Sequence, residues 1–534
     1  MKKTLLISIL VVLTLLLAIV PATAQSEPTT IKIFTLQRGD GDIALNTFSL
    51  ALEEMFNVKF EWTFTAFDSS VAKEQRNLAL ASGDYPDLFM LVDWIDLFSQ
   101  LDLLKYGQQG VIIPLNDLID QHAPNIKAAL DSNATFRAMS TAPDGTIWGL
   151  GMLNECYHCL YPNKMWVNSK WLKALNIATP TTTEDFKNML IAFQTQDANG
   201  NGEADEILAG ANAPIGTRPI PYLMNGFIYD DDRTYLMVNE GKVDTVATTQ
   251  EWKDGLTYIK SLYDAGLIDP SAFTGNLDVF SAVGNNATAQ LGSAVATLHP
   301  WQFTNCAADA NPAYCQDYDP IPPLQGPNAA FATIRPATAP GATFVLTNKA
   351  SPEVQIAAIK MLDYMFTFEG RMAGNFGLKD INWRDPLPGE LANNQSVEPA
   401  FTVIPVSPFD NNAWGPAAQY NFDGGFRDSQ VQSDEIYTPA GYEHRLQLAS
   451  DLYSGSESPN AFPFWNIWPD LAVADELALL RQNINDYIES SQLAFVTGSM
   501  SLETDWDSYV EGLNNLGLAR YLEIQQAGYD ASVK

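Results

Sequence analysis

Val71-Ala-Lys-Glu-Gln-Arg-Asn-Leu-Ala-Leu80-Ala-Ser-Gly-Asp-Tyr-Pro-Asp-Leu-Phe-Met90-Leu-Val-Asp-Trp94 decides the fold. Its first half has the apolar spacing of a helix over Val71 to Ala81, which Gly83 and Pro86 end. Its second half, Asp87 to Val92, is a nearly continuous apolar run of the kind buried on both faces of a parallel sheet. Upstream the same alternation is present, with a strand at Thr30 to Thr35, an amphipathic helix at Ala44 to Phe56 and a strand at Val58 to Phe64. Strands alternating with helices predict an α/β lobe, in which ligands gather beyond the carboxyl ends of the strands. Asp93 and Trp94 occupy that position.

A second α/β unit follows from about Leu160. It has helices at Thr183 to Gln194 and Gln250 to Ala265, and a short apolar strand at Ala294 to Leu298 that delivers His299-Pro-Trp301 at its carboxyl end. Pro320 to Pro340 reads as a Pro-rich connector. A strand at Gly341 to Thr347 then feeds a helix at Ser351 to Phe366, with Pro352 suited to its first turn. From Pro469 the chain is periodic and helical, with Asn483, Tyr487 and Phe495 along it. No internal repeat is evident.

At the other end, Lys2 and Lys3 precede an apolar run, Leu5 to Val20, and Ala22-Thr-Ala24 offers small residues to a signal peptidase cutting before Gln25. This reads as a signal peptide at 1–24; the alternative is an uncleaved anchor, since the run is near the lower limit for spanning a bilayer. The first cysteine is Cys156, so no lipid anchor is expected, and the protein is read as exported to a periplasmic or extracellular space. The chain of 534 residues has a net charge of -33, and loss of Lys2 and Lys3 takes it to -35. Such acidity excludes nucleic acid and anionic lipid as partners.

Four cysteines in an exported chain suggest two local disulfides, Cys156 with Cys159 and Cys306 with Cys315. Metal binding by Cys156-Tyr-His-Cys159 is the alternative and would need two further ligands. The sharpest local motif is Asp197-Ala-Asn199-Gly-Asn201-Gly202-Glu203-Ala-Asp205-Glu206, in which oxygen side chains at alternate positions can wrap a small hard cation. It departs from the full EF-hand pattern because the twelfth position is Leu208. Asp205 and Glu206 could close the site instead, with Glu203 offering its backbone carbonyl, so a structural Ca2+ is expected; the alternative is a polar turn. Trp94, Trp148, Trp301, Trp383, Trp414, Trp465 and Trp468 are candidates to cover the C–H face of a sugar ring, although any single Trp is more often a core residue. No nucleophile elbow, P-loop or zincin helix is present, and a glycosidase carboxylate pair has no position among 63 acidic residues.

Several stretches together resemble the extracellular solute-binding proteins of ABC-type carbohydrate importers, in the subgroup of oligosaccharide-binding lipoproteins and alginate-binding proteins. They are Leu80 to Phe89, Val111-Ile-Ile-Pro-Leu-Asn-Asp-Leu-Ile-Asp120, Ala142-Pro-Asp-Gly-Thr-Ile-Trp148, and Lys164-Met-Trp through Pro180-Thr-Thr-Thr-Glu-Asp-Phe186 to the Asp197 loop. Leu262-Tyr-Asp-Ala-Gly-Leu-Ile-Asp-Pro270, Tyr318-Asp-Pro-Ile-Pro-Pro323 and Phe495 to Leu502 with Trp506, Tyr509 and Gly517-Leu518 continue the set. The resemblance spans nearly the whole chain in order.

The resemblance implies a two-lobed periplasmic-binding-protein fold, type II-like, with a ligand cleft that closes as a hinge. Lobe 1 is expected to comprise 25–150 and 336–400, and lobe 2 to comprise 151–335 and 401–534. Asp93 and Trp94 would line the cleft from lobe 1 and Trp301 from lobe 2, with Asn382, Trp383 and Trp414 as further cleft residues. The implied function is non-catalytic: a monomer that captures a carbohydrate and delivers it to a membrane permease. Sparse basic residues favour a neutral oligosaccharide over a polyuronate. The alternatives are a secreted carbohydrate-active enzyme, or a peptide or other solute receptor on the same scaffold.

Overall fold

The computed structural model describes residues 27–37, 41–212, 216–296, 299–306, 314–336, 339–404 and 411–533. The signal-peptide reading of 1–24 lies outside them, as do Thr297 and Leu298. In the first lobe, β1 (Thr29–Gln37), α1 (Thr47–Phe56), β2 (Val58–Ala66), α2 (Ser69–Ser82) and β3 (Leu88–Met90) alternate along the chain. β1 pairs in parallel with β2 on one side and β3 on the other. Asp68 starts α2 by accepting the backbone N–H groups of Ser70 and Val71, and Gly83, at φ +76°, ends it in a left-handed conformation that only glycine adopts without strain. The Asp87 carboxylate accepts the Lys32 N–H at 2.9 Å and so fixes the entry of β3 against β1.

The second lobe is built on β4 (Lys164–Asn168), α3 (Thr183–Thr195), β5 (Ile207–Ala209), α4 (Gln250–Asp264), β6 (Leu291–Ala296) and β7 (Tyr318–Ile321). Its sheet order is β7-β4-β6-β5, with β5 and β6 parallel. Pro320 lies within β7, inside the stretch read from sequence as a connector; β7 is an edge strand, the sheet position that tolerates proline. The chain then returns to the first lobe as β8 (Phe344–Leu346), antiparallel to β3, and α5 (Pro352–Met365), which begins at the cap Ser351 with Pro352 in its first turn. After α6 (Tyr442–Asp451), the C-terminal helices α7 (Ala474–Thr497), α8 (Trp506–Asn515) and α9 (Leu518–Ser532) bury Ile484, Phe495, Tyr509 and Tyr521 in the second-lobe core with Phe186 and Trp252. None of the helices among the described residues is long and apolar enough to cross a membrane.

The first-lobe core, built on Ile31, Ile33, Leu88, Phe344 and Ile359, also takes Trp414, Ala417, Ala418 and Tyr420. The expected boundary at 400 is therefore too early: this apolar run is buried against the first lobe, and the chain leaves only beyond it. Three crossings meet at the junction. Asn421–Phe422 pairs in parallel with Leu153–Asn154, Glu155 donates its N–H to the Phe422 carbonyl at 2.9 Å, and Arg335 donates its N–H to the Leu160 carbonyl at 2.9 Å.

Candidate functional site

Beyond β3 the backbone turns sharply, because the Val92 carbonyl accepts the N–H groups of both Ile95 and Asp96 at 2.9 Å. Trp94 is left 49% exposed at the tip of that turn. The turn is anchored underneath by an ion pair the sequence did not reveal. Arg76, on the inner face of α2, donates through Nε and Nη2 to the two oxygens of Asp96 at 2.7 and 3.1 Å, with both residues buried. Asp93 is half-buried, and its carboxylate accepts the backbone N–H groups of Trp94 and Ala339, the latter on the second crossing of the junction. Burial pushes its pKa up to about 6 against these hydrogen bonds.

That shift has a sign. A carboxyl group that binds its proton more tightly when folded contributes stability below its unfolded pKa, near 4, which is lost as pH rises through about 6. Asp93→Asn is accordingly expected to flatten the pH dependence of stability between pH 4 and 6.5, and to be more stable than the parent at pH 7 by up to about 3 kcal/mol. Denaturant melts of both proteins across that range test this, and parallel pH profiles would refute it.

In the second lobe, β6 leads to His299-Pro300-Trp301, where Trp301 is 49% exposed. Its indole N–H donates to the Tyr442 hydroxyl at 3.1 Å. The Tyr442 ring lies 5.0 Å from the His299 ring, centroid to centroid, and Arg445, one turn along α6, sets a guanidinium nitrogen 3.1 Å from His299 Nε2. Burial, with Arg445 adding, pushes His299 down to about 3, so the ring is neutral. Trp301 is thus an exposed ring held by a half-buried tyrosine, which rests on the buried His299 and Arg445.

Tyr442 and its neighbour Glu443 also line a cavity of about 660 Å³, whose other walls include Phe376, Gln419, Phe422 and Arg427. That volume lies within the range of about 300–1,000 Å³ usual for small-molecule sites. An aromatic cluster of Phe401, Phe422 and Phe426 supports one side, with Phe401 and Phe426 stacked at 4.8 Å. At the rim Arg384 holds Glu390 at 2.6 Å, and this contact, ahead of the other groups around it, keeps the Glu390 carboxyl down to about 2. Asp93 and Trp94 do not line this cavity. The link is Tyr420, whose buried hydroxyl feels the Asp93 charge and whose neighbour Gln419 is in the cavity wall.

Two residues expected in the cleft are placed elsewhere. Trp414 is a core residue of the first lobe: its indole N–H donates to Ser49 Oγ at 2.8 Å and its ring meets Phe48 edge-on at 5.1 Å. Asn382 is buried and closes its own loop, its side-chain oxygen accepting the N–H of Leu378 at 2.9 Å and an amide N–H of Asn412 at 3.2 Å. Trp383 is half-buried, with its N–H on the Gly377 carbonyl and the Lys379 ammonium over its ring. Sequence shows a tryptophan or an amide; it does not show which distant partner satisfies it.

Cys156 is bonded to Cys159 and Cys306 to Cys315. His158 and His299 each lie beside one pair, but the sulfurs are oxidised and offer no thiolate to a metal. The Asp197–Glu206 loop is different. The Asp197 oxygens accept the N–H groups of Asn201 and Gly202, Asp205 accepts from the Asn199 and Asn201 amides at 2.8 and 3.0 Å, and Glu206 Oε1 accepts the Asn199 N–H at 3.0 Å. Glu206 is fully buried, and its second oxygen has no hydrogen-bond partner. Burial raises its pKa, and the charges of Asp205 and Asp197 raise it further. A buried carboxylate that lacks a positive partner, ringed by oxygen side chains, fits a hard cation.

No protein-family model matches the chain. Its sequence is similar to the fructooligosaccharide ABC transporter substrate-binding protein FusA of Streptococcus pneumoniae serotype 4, 30% identical over 495 residues that cover 90% of this chain and 86% of FusA. Its structure is similar to that of an EF-hand mutant of S. pneumoniae FusA in complex with fructo-nystose, with a TM-score of 0.69 at 26% identity over 94% of this chain and 99% of that one. An extracellular solute-binding protein of Bifidobacterium longum subsp. infantis shares the fold, with a TM-score of 0.76 at 19% identity over 95% and 99% of the two chains. A lobe-and-crossing architecture matched along nearly its whole length, and a sequence that follows FusA through both lobes, lead to one conclusion: the chain belongs to the substrate-binding proteins of ABC transporters.

Proposed function

We propose that this binding protein captures a neutral oligosaccharide of the fructooligosaccharide class outside the cytoplasm and hands it to a membrane permease. The observation that carries the reading is the exposed Trp301 ring, fixed through Tyr442 to the wall of the 660 Å³ cavity. Such a ring can cover the C–H face of a sugar, and the cavity's amides and carboxylates can then bond its hydroxyls. Asp93 and Trp94 supply the first lobe's share of the contacts. Ligand must touch both lobes, because only contacts made in the closed form drive closure.

A neutral ligand is favoured because the cationic side chains in the cavity wall are already engaged. Arg384 is paired with Glu390, and Arg427 donates to the Asn154 side chain and lies over the Phe422 ring. Fructooligosaccharides carry hydroxyls and no ionisable group, and FusA is named for them. A structural Ca2+ in the Asp197–Glu206 loop belongs to the same reading. It would neutralise Glu206, Asp205 and Asp197 and fix the connection between α3 and β5; an EF-hand in FusA supports it.

Thermal unfolding with kestose, nystose, maltotriose and a galacturonate trimer, with and without EDTA, tests both parts. Kestose or nystose at about 100 times its dissociation constant should stabilise the protein by about 2.7 kcal/mol, without product formation. EDTA should lower the melting temperature. Hydrolysis, or a response to the galacturonate alone, would overturn the sugar assignment; an unchanged melting temperature in EDTA would overturn the Ca2+ site.

A further inference from the structure

A second cavity, of about 360 Å³, lies between the Arg218–Pro221 segment, the Asp230–Tyr235 turn and α7. Asp230, Asp231 and Asp232 are consecutive and all buried. Asp231 is used by the fold: its carboxylate accepts the backbone N–H groups of Arg233, Thr234 and Tyr235. The other two face the cavity. Asp232 is paired with Arg218 at 2.8 Å, and Arg335 acts on it as well. Asp230 has no such partner: one oxygen accepts the Asp232 N–H at 2.8 Å, while the other, on a residue 1% exposed, has no hydrogen-bond partner.

Glu489, on α7, completes an acidic rim. One of its oxygens collects the Tyr235 hydroxyl and an Arg218 N–H, both at 3.2 Å. Gln492, 6% exposed and one turn further along, carries a side-chain N–H donor without a partner, and so does Arg218 at Nε. Buried donors and acceptors are almost always satisfied in native proteins, so several unsatisfied groups around one cavity point to something polar that belongs there. Burial holds Asp230 well above the usual carboxylate range, with the charges of Asp232 and Asp231 adding and that of Arg218 opposing.

A single metal ion does not suit this arrangement. It would sit between the carboxylates and leave the buried N–H donors of Gln492 and Arg218 without an acceptor. A polyatomic cation can span them. The unpartnered donors on Gln492 and Arg218 require acceptor oxygens on the same ligand, and Pro219, Pro221, Phe273 and Leu493 give it apolar walls.

We infer that this cavity binds a small hydroxylated amine, its ammonium group between Asp230 and Glu489 and its hydroxyl oxygens accepting from Gln492 and Arg218. Titration calorimetry of the full mature chain with glucosamine as probe and glucose as control tests this. Saturable glucosamine binding is expected, with none for glucose. Asp230→Asn and Glu489→Gln should each weaken it about tenfold or more, as expected for loss of a charged hydrogen-bond partner. Because Glu489 is half-exposed, its variant retains the fold even where Asp230→Asn does not. Trp301→Ala should leave glucosamine binding intact, which separates this site from the one between the lobes. Absence of glucosamine binding, equal binding of glucose, or binding that is lost in Trp301→Ala and kept in Glu489→Gln would overturn the inference.

Discussion

Replacing Asp96 with alanine is expected to lower the unfolding free energy by about 3–5 kcal/mol and to weaken sugar binding without touching the sugar. The Arg76 and Asp96 side chains are 1% and 4% exposed, joined by two hydrogen bonds, and the guanidinium lies 4.6 Å over the Phe98 ring. Without Asp96, the nearest remaining carboxylate is Asp102, at 3.7 Å and partly solvated, so a buried cation is left almost uncompensated. The loss reaches the site because Asp96 closes the turn that carries Asp93 and Trp94. Urea melts at constant m-value measure the stability, and the double variant Arg76→Met/Asp96→Leu should recover most of it, since an apolar pair of similar volume removes the stranded charge. A loss below about 1 kcal/mol would show that the turn holds without the ion pair.

The alternation of strands and helices in both lobes was legible because burial imposes a period on the sequence. β1, β2 and α2 run close to the stretches inferred from apolar spacing, and the cap residues Asp68 and Ser351 stand where the helices begin. Arg76 carries a signal in the sequence too. It stands four residues after Ala72 and four before Leu80, on the buried stripe of α2, and an arginine there needs a buried partner. The turn at Asp197 to Glu206 was legible because the side chains that hydrogen-bond across it are close together in sequence. The cleft was not: Tyr442 meets Trp301 across 141 residues, and Trp414 meets Ser49 across 365. No local pattern distinguishes a tryptophan that faces solvent from one that faces a serine brought in by the fold. The same holds for the boundary at 400, which misplaced the segment from Trp414 to Tyr420 because its apolar character names no lobe.

Trp301→Ala should weaken binding of the oligosaccharide by at least about 30-fold, corresponding to about 2 kcal/mol for a buried aromatic anchor, while changing the unfolding free energy of the sugar-free protein little. The two effects separate because the ring is half exposed, so its removal opens no cavity in the sugar-free protein. Tyr442→Phe tests the pedestal rather than the platform. It keeps the ring beside His299 and removes only the acceptor for the indole N–H, so a loss of about fivefold is expected, near the worth of one hydrogen bond. If orientation is what Tyr442 supplies, the double variant Trp301→Ala/Tyr442→Phe should bind no more weakly than Trp301→Ala alone, because the hydroxyl has nothing left to orient. Additive losses would instead mean that Tyr442 contacts the sugar directly from the cavity wall, and unchanged affinity in Trp301→Ala would remove the platform from the site.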